Sequence, residues 1–304
     1  MKIAVVHNRA AGRNKLDIAA LLHSIRDAGY QAQAVPLSDR LVHTPEIAGA
    51  DLLVIAGGDG TIRKVALQFV GHSLPIAVLP TGTANNISQS LGVSGEIADL
   101  ISNWKYGRTV GLDVGRVRGP WGESLFLEGI GIGLVGRSIG IVETIDEQSG
   151  REFSDTQDKL QRDLAVFIAL AFELPAVHVE CSADGEDMTA DFLLLEILNI
   201  RHAGPRIHLA PHADPTDGLL DVVFAKREDR EALKKTLLAS LVSPQESTFL
   251  SKQKTREFRL NMKVGELRLD DHVVMSRSGV HGTQPDVAQI DVSVLHHALR
   301  MLVP

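Results

Sequence analysis

The chain has 304 residues, 44% of them hydrophobic and 23% charged, and carries a formal net charge of −7. That length fits one large or two ordinary domains, and that composition excludes a disordered or fibrous chain. The acidic balance argues against a nucleic-acid partner, which would require a basic surface, and Cys181, the single cysteine, excludes an intrachain disulfide and fits a reducing cytosol.

The opening MKIAVVHNRAAG reads as a strand entering a glycine loop rather than as a signal peptide. Its apolar run at residues 3–6 has the continuity of a strand buried on both faces, as in a parallel sheet. A helix is predicted over residues 16–28, with Ile18, Leu21, Leu22 and Ile25 on one side and Gly29 at its end. Strands follow at residues 31–35, 52–56 and 76–79, the last stopped by Pro80. Helices are predicted at residues 61–70 and 84–91. This β-loop-α alternation predicts a Rossmann-like parallel α/β domain over residues 1–115.

The pattern then changes. Strands are predicted at residues 110–117, 123–131, 177–181, 188–198, 219–224, 257–260 and 266–269, separated by turn-rich pieces such as GPWGE, SADGED and DPTDG. Many strands with few helices predict an antiparallel β-sandwich over residues 116–287. Helices at residues 159–174 and 229–241 interrupt it, and the tail at residues 288–304 is a candidate to return to the first domain. The longest apolar run, residues 164–172, falls well short of the roughly 20 residues of a membrane helix. A soluble protein is expected, with membrane contact at most peripheral.

Three glycine loops follow strands of the first domain. The strongest is Gly57-Gly58-Asp59-Gly60-Thr61. Its glycines let the backbone approach an anion without Cβ atoms in the way, and the next helix offers free N–H groups and a positive dipole end. Thr61 is placed to cap that helix or to bond a phosphate oxygen. Asp59 makes sense there beside a metal ion or an inward-facing donor. A capped tight turn is the structural alternative.

The second loop, LPTGTANN, brings Gly82, Thr83 and Asn85 to another strand–helix junction, where simple capping competes with ligand binding. The third carries Asn8, Gly12 and Arg13. In open parallel sheets, ligands bind beyond the carboxyl ends of the strands, so the three loops together outline a nucleotide-phosphate crevice. The chain has no G-x-x-x-x-G-K-[ST] element and no G-x-G-x-x-G after the first strand, which excludes a P-loop and argues against a dinucleotide site.

With these motifs in place, the chain resembles the diacylglycerol-kinase catalytic-domain family, the bacterial lipid kinases related to sphingosine kinases. GGDGT is that family's signature, and LPTGTANN is similar to its P-x-G-T-x-N-D element. Asn8 to Gly12 resembles its N-P-x-S-G opening, DGLLDV at residues 217–222 its D-G-x-L-D-V strand, and LRLDDH at residues 267–272 falls where the family has a D-G-E turn. The order and spacing agree over nearly the whole chain.

The resemblance implies an ATP- and Mg²⁺-dependent transfer to a hydroxyl of a lipid or lipid-like alcohol, in a cleft between the α/β domain and the sandwich. It implies ATP phosphates on the GGDGT backbone, with Asp59 in the catalytic set, and Asp270 as the base that takes the acceptor's proton. It also implies magnesium in the region of Asp217 and Asp221. The location implied is cytoplasmic, with peripheral contact at the inner membrane surface allowed and a homodimer left open. An NAD kinase shares the glycine signature, but no N-x-G-x-L-G-F-L segment precedes the second domain. A catalytically weakened nucleotide- or lipid-binding protein is the other alternative.

The chain departs from the family pattern at several positions. Arg9 stands for proline, Ala11 for serine, Lys64 for glutamate, Asn86 for aspartate, Asp271 for glycine and His272 for glutamate.

Several features are read as structural. His208 and His212 flank Pro211 on strand and loop, and adjacent side chains such as His296 and His297 are expected to diverge. Glu143, Asp146 and Glu147 form an acidic run expected to be a solvated face. Gly129-Ile130-Gly131-Ile132-Gly133 predicts either close backbone packing or an acyl-chain cavity beside the helix at residues 159–174.

Overall fold

A computed structural model of the chain describes residues 1–7, 17–149, 156–204, 207–242, 250–263, 266–275 and 287–304. In chain order the elements begin with β1 (Lys2–His7), α1 (Ile18–Asp27), β2 (Gln31–Pro36), α2 (Pro45–Ala48), β3 (Leu52–Gly57), α3 (Asp59–Ala66) and β4 (Ile76–Pro80). They continue with α4 (Asn86–Ser90), α5 (Ile97–Asn103), β5 (Arg108–Gly119), β6 (Gly122–Phe126), β7 (Gly129–Gly133), α6 (Leu134–Ser149) and α7 (Thr156–Glu173). Then come β8 (Val177–Ala183), β9 (Glu186–Asp187), β10 (Ala190–Leu198), β11 (Leu220–Lys226) and α8 (Arg230–Val242). The chain closes with β12 (Ser251–Thr255), β13 (Glu257–Lys263), β14 (Leu267–Leu269), β15 (His272–Met275) and β16 (Val287–Val303).

The chain forms two compact units. The first comprises Met1–Val114, Pro215–Asp217 and Leu295–Pro304, and the second Gly115–Asp214 and Gly218–Val294.

In the first unit β2, β1, β3 and β4 lie side by side in parallel, and the end of β16 joins β4 in parallel at Met301↔Ile76. The strands are apolar along their length because both faces are covered, as parallel sheets require. Ile3, Val5, Leu53, Ile55 and Val78 are buried. Leu21 and Ile25 of α1 and Ile62 and Val65 of α3 are buried with them. The Asp17 carboxylate caps α1, accepting from the N–H groups of Ala19 and Ala20.

The second unit is an antiparallel β structure in which the order is β15-β14-β7-β10-β8-β13-β16. Within it β11 lies between β10 and β12, and β5 forms a hairpin with β6. One core gathers Phe126, Ile130, Ile132, Phe192, Val222, Phe258 and Ile290 between strands. Another gathers Leu134, Phe167, Ala171, Leu194, Val223, Leu233 and Leu237 beneath α6, α7 and α8.

Two sequence expectations change here. The single strand expected at residues 123–131 is two, β6 and β7, because Leu127 and Glu128 turn their amides to a side-chain carboxylate. Helix α6 was not expected. Its Gly136, Gly140 and β-branched residues lower helix propensity, and burial of Leu134 and Val135 overrides it. Within the expected acidic face, Asp146 is not simply solvated, since it pairs with Arg162 of α7. That guanidinium, first through its hydrogen bond, holds the Asp146 carboxyl below its usual range.

Candidate active site

The GGDGT and LPTGTANN loops leave the carboxyl ends of neighbouring parallel strands, β3 and β4. They are locked together. The Thr81 N–H donates to the Gly57 carbonyl at 3.1 Å. A Cβ on Gly82 would stand 2.4 Å from the Gly58 Cα, and one on Gly58 would stand 2.9 Å from the Gly82 Cα. Both positions must be glycine for the two backbones to meet.

Asp59 completes the lock. Its Oδ2 accepts from the Asn86 N–H and its Oδ1 from the Ile87 N–H, both at 2.9 Å. The carboxylate thus satisfies the first turn of α4 and complements its dipole. The inward-facing donors foreseen for Asp59 are therefore backbone amides, and they are what its charge meets. Asn85 closes its own loop. Its Oδ1 accepts from the Gly82 N–H at 3.0 Å and its Nδ2 donates to the Gly82 carbonyl at 2.9 Å, with φ at 54°. Asn tolerates that left-handed conformation better than most residues.

Thr61 is not the cap of α3. It is buried inside the first turn, and Gly58 is the N-cap, with no side-chain hydrogen bond there. The N–H groups of Thr61 and Ile62 both donate to the Gly58 carbonyl at 3.0 Å, so the backbone of Gly58, not a capping side chain, closes the first turn of α3. Thr83 lies in the turn before α4. Asn8, Gly12 and Arg13 lie outside the described residues. Lys64 reaches Asp39 at 2.9 Å on the exposed face of α3.

In the second unit Asp270 is 3% exposed with φ at 51°. Its carboxylate accepts from the amides of Glu128 (2.8 Å), Gly129 (3.1 Å) and Leu127 (3.3 Å), and its own N–H donates to the Gly129 carbonyl at 2.8 Å. Arg268, 1% exposed, donates through Nη1 to the Asp270 carbonyl at 2.6 Å and through Nη2 to Glu196, itself fully buried. Burial pushes the Glu196 carboxyl above its ordinary range, against the opposing pull of Arg268.

This buried set explains the glycine segment of β7. A Cβ on Gly131 would stand 2.2 Å from the Glu196 carboxylate. Close packing is therefore what Gly131 serves, and the neighbour it admits is a charged side chain. The sequence reading missed Arg268 and Glu196. The signal available was a single charge in each of the otherwise apolar strands LRL and LLLEIL.

On the rim, Asp271 and His272 are half-exposed, with the His272 Nδ1 at 3.2 Å from the Asp271 Oδ1. Asp221 is buried on β11, where its charge acts on Lys252. Asp217 belongs to the first unit. His208 packs its ring against His202 with centroids 4.1 Å apart, while His212 is exposed.

Comparisons with known proteins point the same way as these loops. The family model described as diacylglycerol kinase catalytic domain matches residues 2–117, and the one described as YegS C-terminal NAD kinase beta sandwich-like domain matches residues 146–303. A diacylglycerol kinase of Mycobacterium tuberculosis is 24% identical over 61% of this chain and 58% of its own length. The chain thus aligns with less than two thirds of that relative. A Pseudomonas aeruginosa protein named "Probable lipid kinase YegS-like" is 30% identical over 72% of this chain and 70% of its own. A crystal structure of a diacylglycerol kinase from Bacillus anthracis shares the fold, with a TM-score of 0.70 at 18% identity over 100% of this chain and 97% of that one. The chain belongs to the diacylglycerol kinase-like family of lipid kinases, an α/β catalytic domain followed by a β-sandwich domain.

Proposed function

We propose that the protein transfers the γ-phosphoryl group of ATP, with Mg²⁺, to a hydroxyl of a lipid or lipid-like alcohol. The observation that carries this reading is the lock between the two loops at the ends of β3 and β4. Gly58 and Gly82 meet backbone to backbone, and the α3 N-terminus has no side-chain cap. Such a surface suits phosphate oxygens, which need N–H donors, a positive dipole end and no Cβ in the way. Asp59 acts as a positioning residue, holding α4 against the GGDGT turn.

Magnesium, when bound, would supply positive charge to offset the negative charge that develops in transfer. Asp217 and Asp221, hard oxygen donors, are the carboxylates that would hold that ion. On the acceptor side Asp270 takes the hydroxyl proton. Three backbone amides fix the direction of its carboxylate, and Arg268 holds its carbonyl.

A second reading of the base comes from the same geometry. Asp270 is nearly sealed, whereas His272 is half-exposed with Asp271 alongside. In that reading Asp270 shapes the turn and His272 accepts the proton. Membership of a lipid kinase family favours a lipid over NAD as acceptor. Among the described residues no helix is long and apolar enough to cross a membrane.

The test offers diacylglycerol in mixed micelles and NAD side by side with labelled ATP. Label entering the lipid, and lost in Asp270→Asn, supports the first reading. Loss in His272→Ala with activity retained in Asp270→Asn moves the base to His272. Label entering NAD alone overturns the lipid assignment.

A further inference from the structure

Asp113 is 0% exposed in the first unit, yet its carboxylate faces two histidines at the solvent edge. Its Oδ1 accepts from the His297 main-chain N–H at 2.7 Å and stands 2.9 Å from His296 Nδ1. One donor atom from each of Asp113, His296 and His297 lies within 4.8 Å of the other two, the one such group of three found among the described residues.

The two imidazoles do not diverge, as adjacent strand residues should. They stack, with centroids 3.7 Å apart and planes at 27°. The cause is backbone. His297 has φ at 52° in the middle of β16, and that left-handed residue turns both rings to one side. Gly111 of β5 makes the room, since a Cβ there would stand 2.4 Å from the His297 Cγ.

The outer contacts suit ligation. His297 Nε2 lies 3.1 Å from the Thr216 carbonyl. Donating there, Nε2 carries the proton and leaves the Nδ1 lone pair for a cation. A ligand histidine typically spends its other N–H in this way, on a backbone carbonyl or a carboxylate.

We infer that Asp113, His296 and His297 form a binding site for a divalent transition-metal cation of the Zn²⁺ class, separate from the magnesium of phosphoryl transfer. Two imidazole nitrogens and one carboxylate oxygen suit zinc and its neighbours, whereas Mg²⁺ takes oxygens. At ordinary zinc–ligand lengths a tetrahedral ion separates two donors by about 3.3 Å. The His296 Nδ1 to Asp113 Oδ1 contact opens by a few tenths of an ångström to that length, the His297 donor closes in from within 4.8 Å, and the N–H of His296 moves to Nε2. His296 is half-exposed, which gives the ion a path in and leaves a water to complete four-coordination.

The position has a consequence for the fold. The chain passes between its two units next to residues 114, 215, 217 and 295. Asp113, Thr216 and His296 each lie within two residues of such a passage. A bound cation ties these stretches of the first unit together.

The test uses the full chain, freed of any purification tag and stripped of metal, titrated with Co²⁺ and then with Zn²⁺. The expected result is one saturating equivalent of Co²⁺ with the visible bands of a low-coordinate ion, displaced by Zn²⁺ and not by excess Mg²⁺. A raised melting temperature with zinc should accompany it. His296→Ala and His297→Asn, the latter chosen because Asn tolerates φ above zero, should each weaken Co²⁺ binding by about tenfold or more. No saturable binding to the unaltered chain, displacement by Mg²⁺, or unchanged affinity in the folded double variant would overturn the inference.

Discussion

Arg268 and Glu196 meet with both side chains sealed from water, one on β14 and the other on β10, and the same guanidinium holds the Asp270 carbonyl 2.6 Å away. A buried pair of this kind does not need to stabilise the fold, because desolvation offsets its attraction. What it does is fix a turn. Asp270 keeps a left-handed backbone while its carboxylate collects three amides, and Arg268 is the outside restraint on that conformation.

Breaking the pair is therefore expected to be costly. Arg268→Ala leaves Glu196 buried without its cation, and a loss of about 3–5 kcal/mol is expected in denaturant unfolding. The conservative Arg268→Lys should recover part of the stability but less of the activity, since a lysine cannot serve Glu196 and the Asp270 carbonyl with one planar fork.

The same pair gives a pH dependence with a defined sign. Burial holds the Glu196 carboxyl above the ordinary carboxylate range. The folded chain then binds its proton more tightly than the unfolded chain does. Stability relative to Glu196→Gln should fall as the pH rises from the unfolded value through the raised folded one. Unfolding free energies of both proteins across that range decide it, and a relative stability that rises with pH would mean that Arg268 outweighs burial.

Gly82→Ala places a Cβ 2.4 Å from the Gly58 backbone, so the GGDGT and LPTGTANN loops must separate. Nucleotide affinity is expected to fall by at least about tenfold, an effect of about 1.4 kcal/mol or more. Calorimetric titration with Mg-ATP measures it, and unchanged affinity would detach the lock from nucleotide binding.

Asp59→Ala removes both acceptors from the first turn of α4. A loss of about 1–3 kcal/mol is expected, the range for leaving such donors unsatisfied. Asp59→Asn should lie between, since an amide accepts through one oxygen and turns an NH₂ group toward the second donor.

Cys181 gives a simple check on the second unit. Burial pushes its thiol up to about 12, so at neutral pH almost no thiolate exists in the folded chain. A disulfide reagent should titrate one thiol in denaturant and react far more slowly without it. Rapid reaction with the folded protein would mean that the core around Cys181 opens.

The parallel half of the fold was legible because its strands are short apolar runs ending in glycine loops, a pattern with few other physical solutions. The motif Gly57-Gly58-Asp59 was legible as a glycine turn between a buried strand and a helix, but the partner of Asp59 was not. That aspartate meets amides 27 and 28 residues away, and no local pattern encodes such a contact. Helix α6 was hidden because its glycines and isoleucines weaken the helical signal while burial supplies the missing stability. The stacked His296–His297 pair was misread for a related reason. The rule that adjacent side chains diverge assumes an ordinary strand backbone, and His297 does not have one.

The measurement that bears most directly on the account is a crystal structure of the protein soaked with Mg²⁺ and a non-hydrolysable ATP analogue. The account predicts phosphate oxygens on the first-turn amides of α3, against the contact between Gly58 and Gly82. A saturated crystal in which that turn holds no phosphate, or in which the nucleotide binds elsewhere, would contradict it.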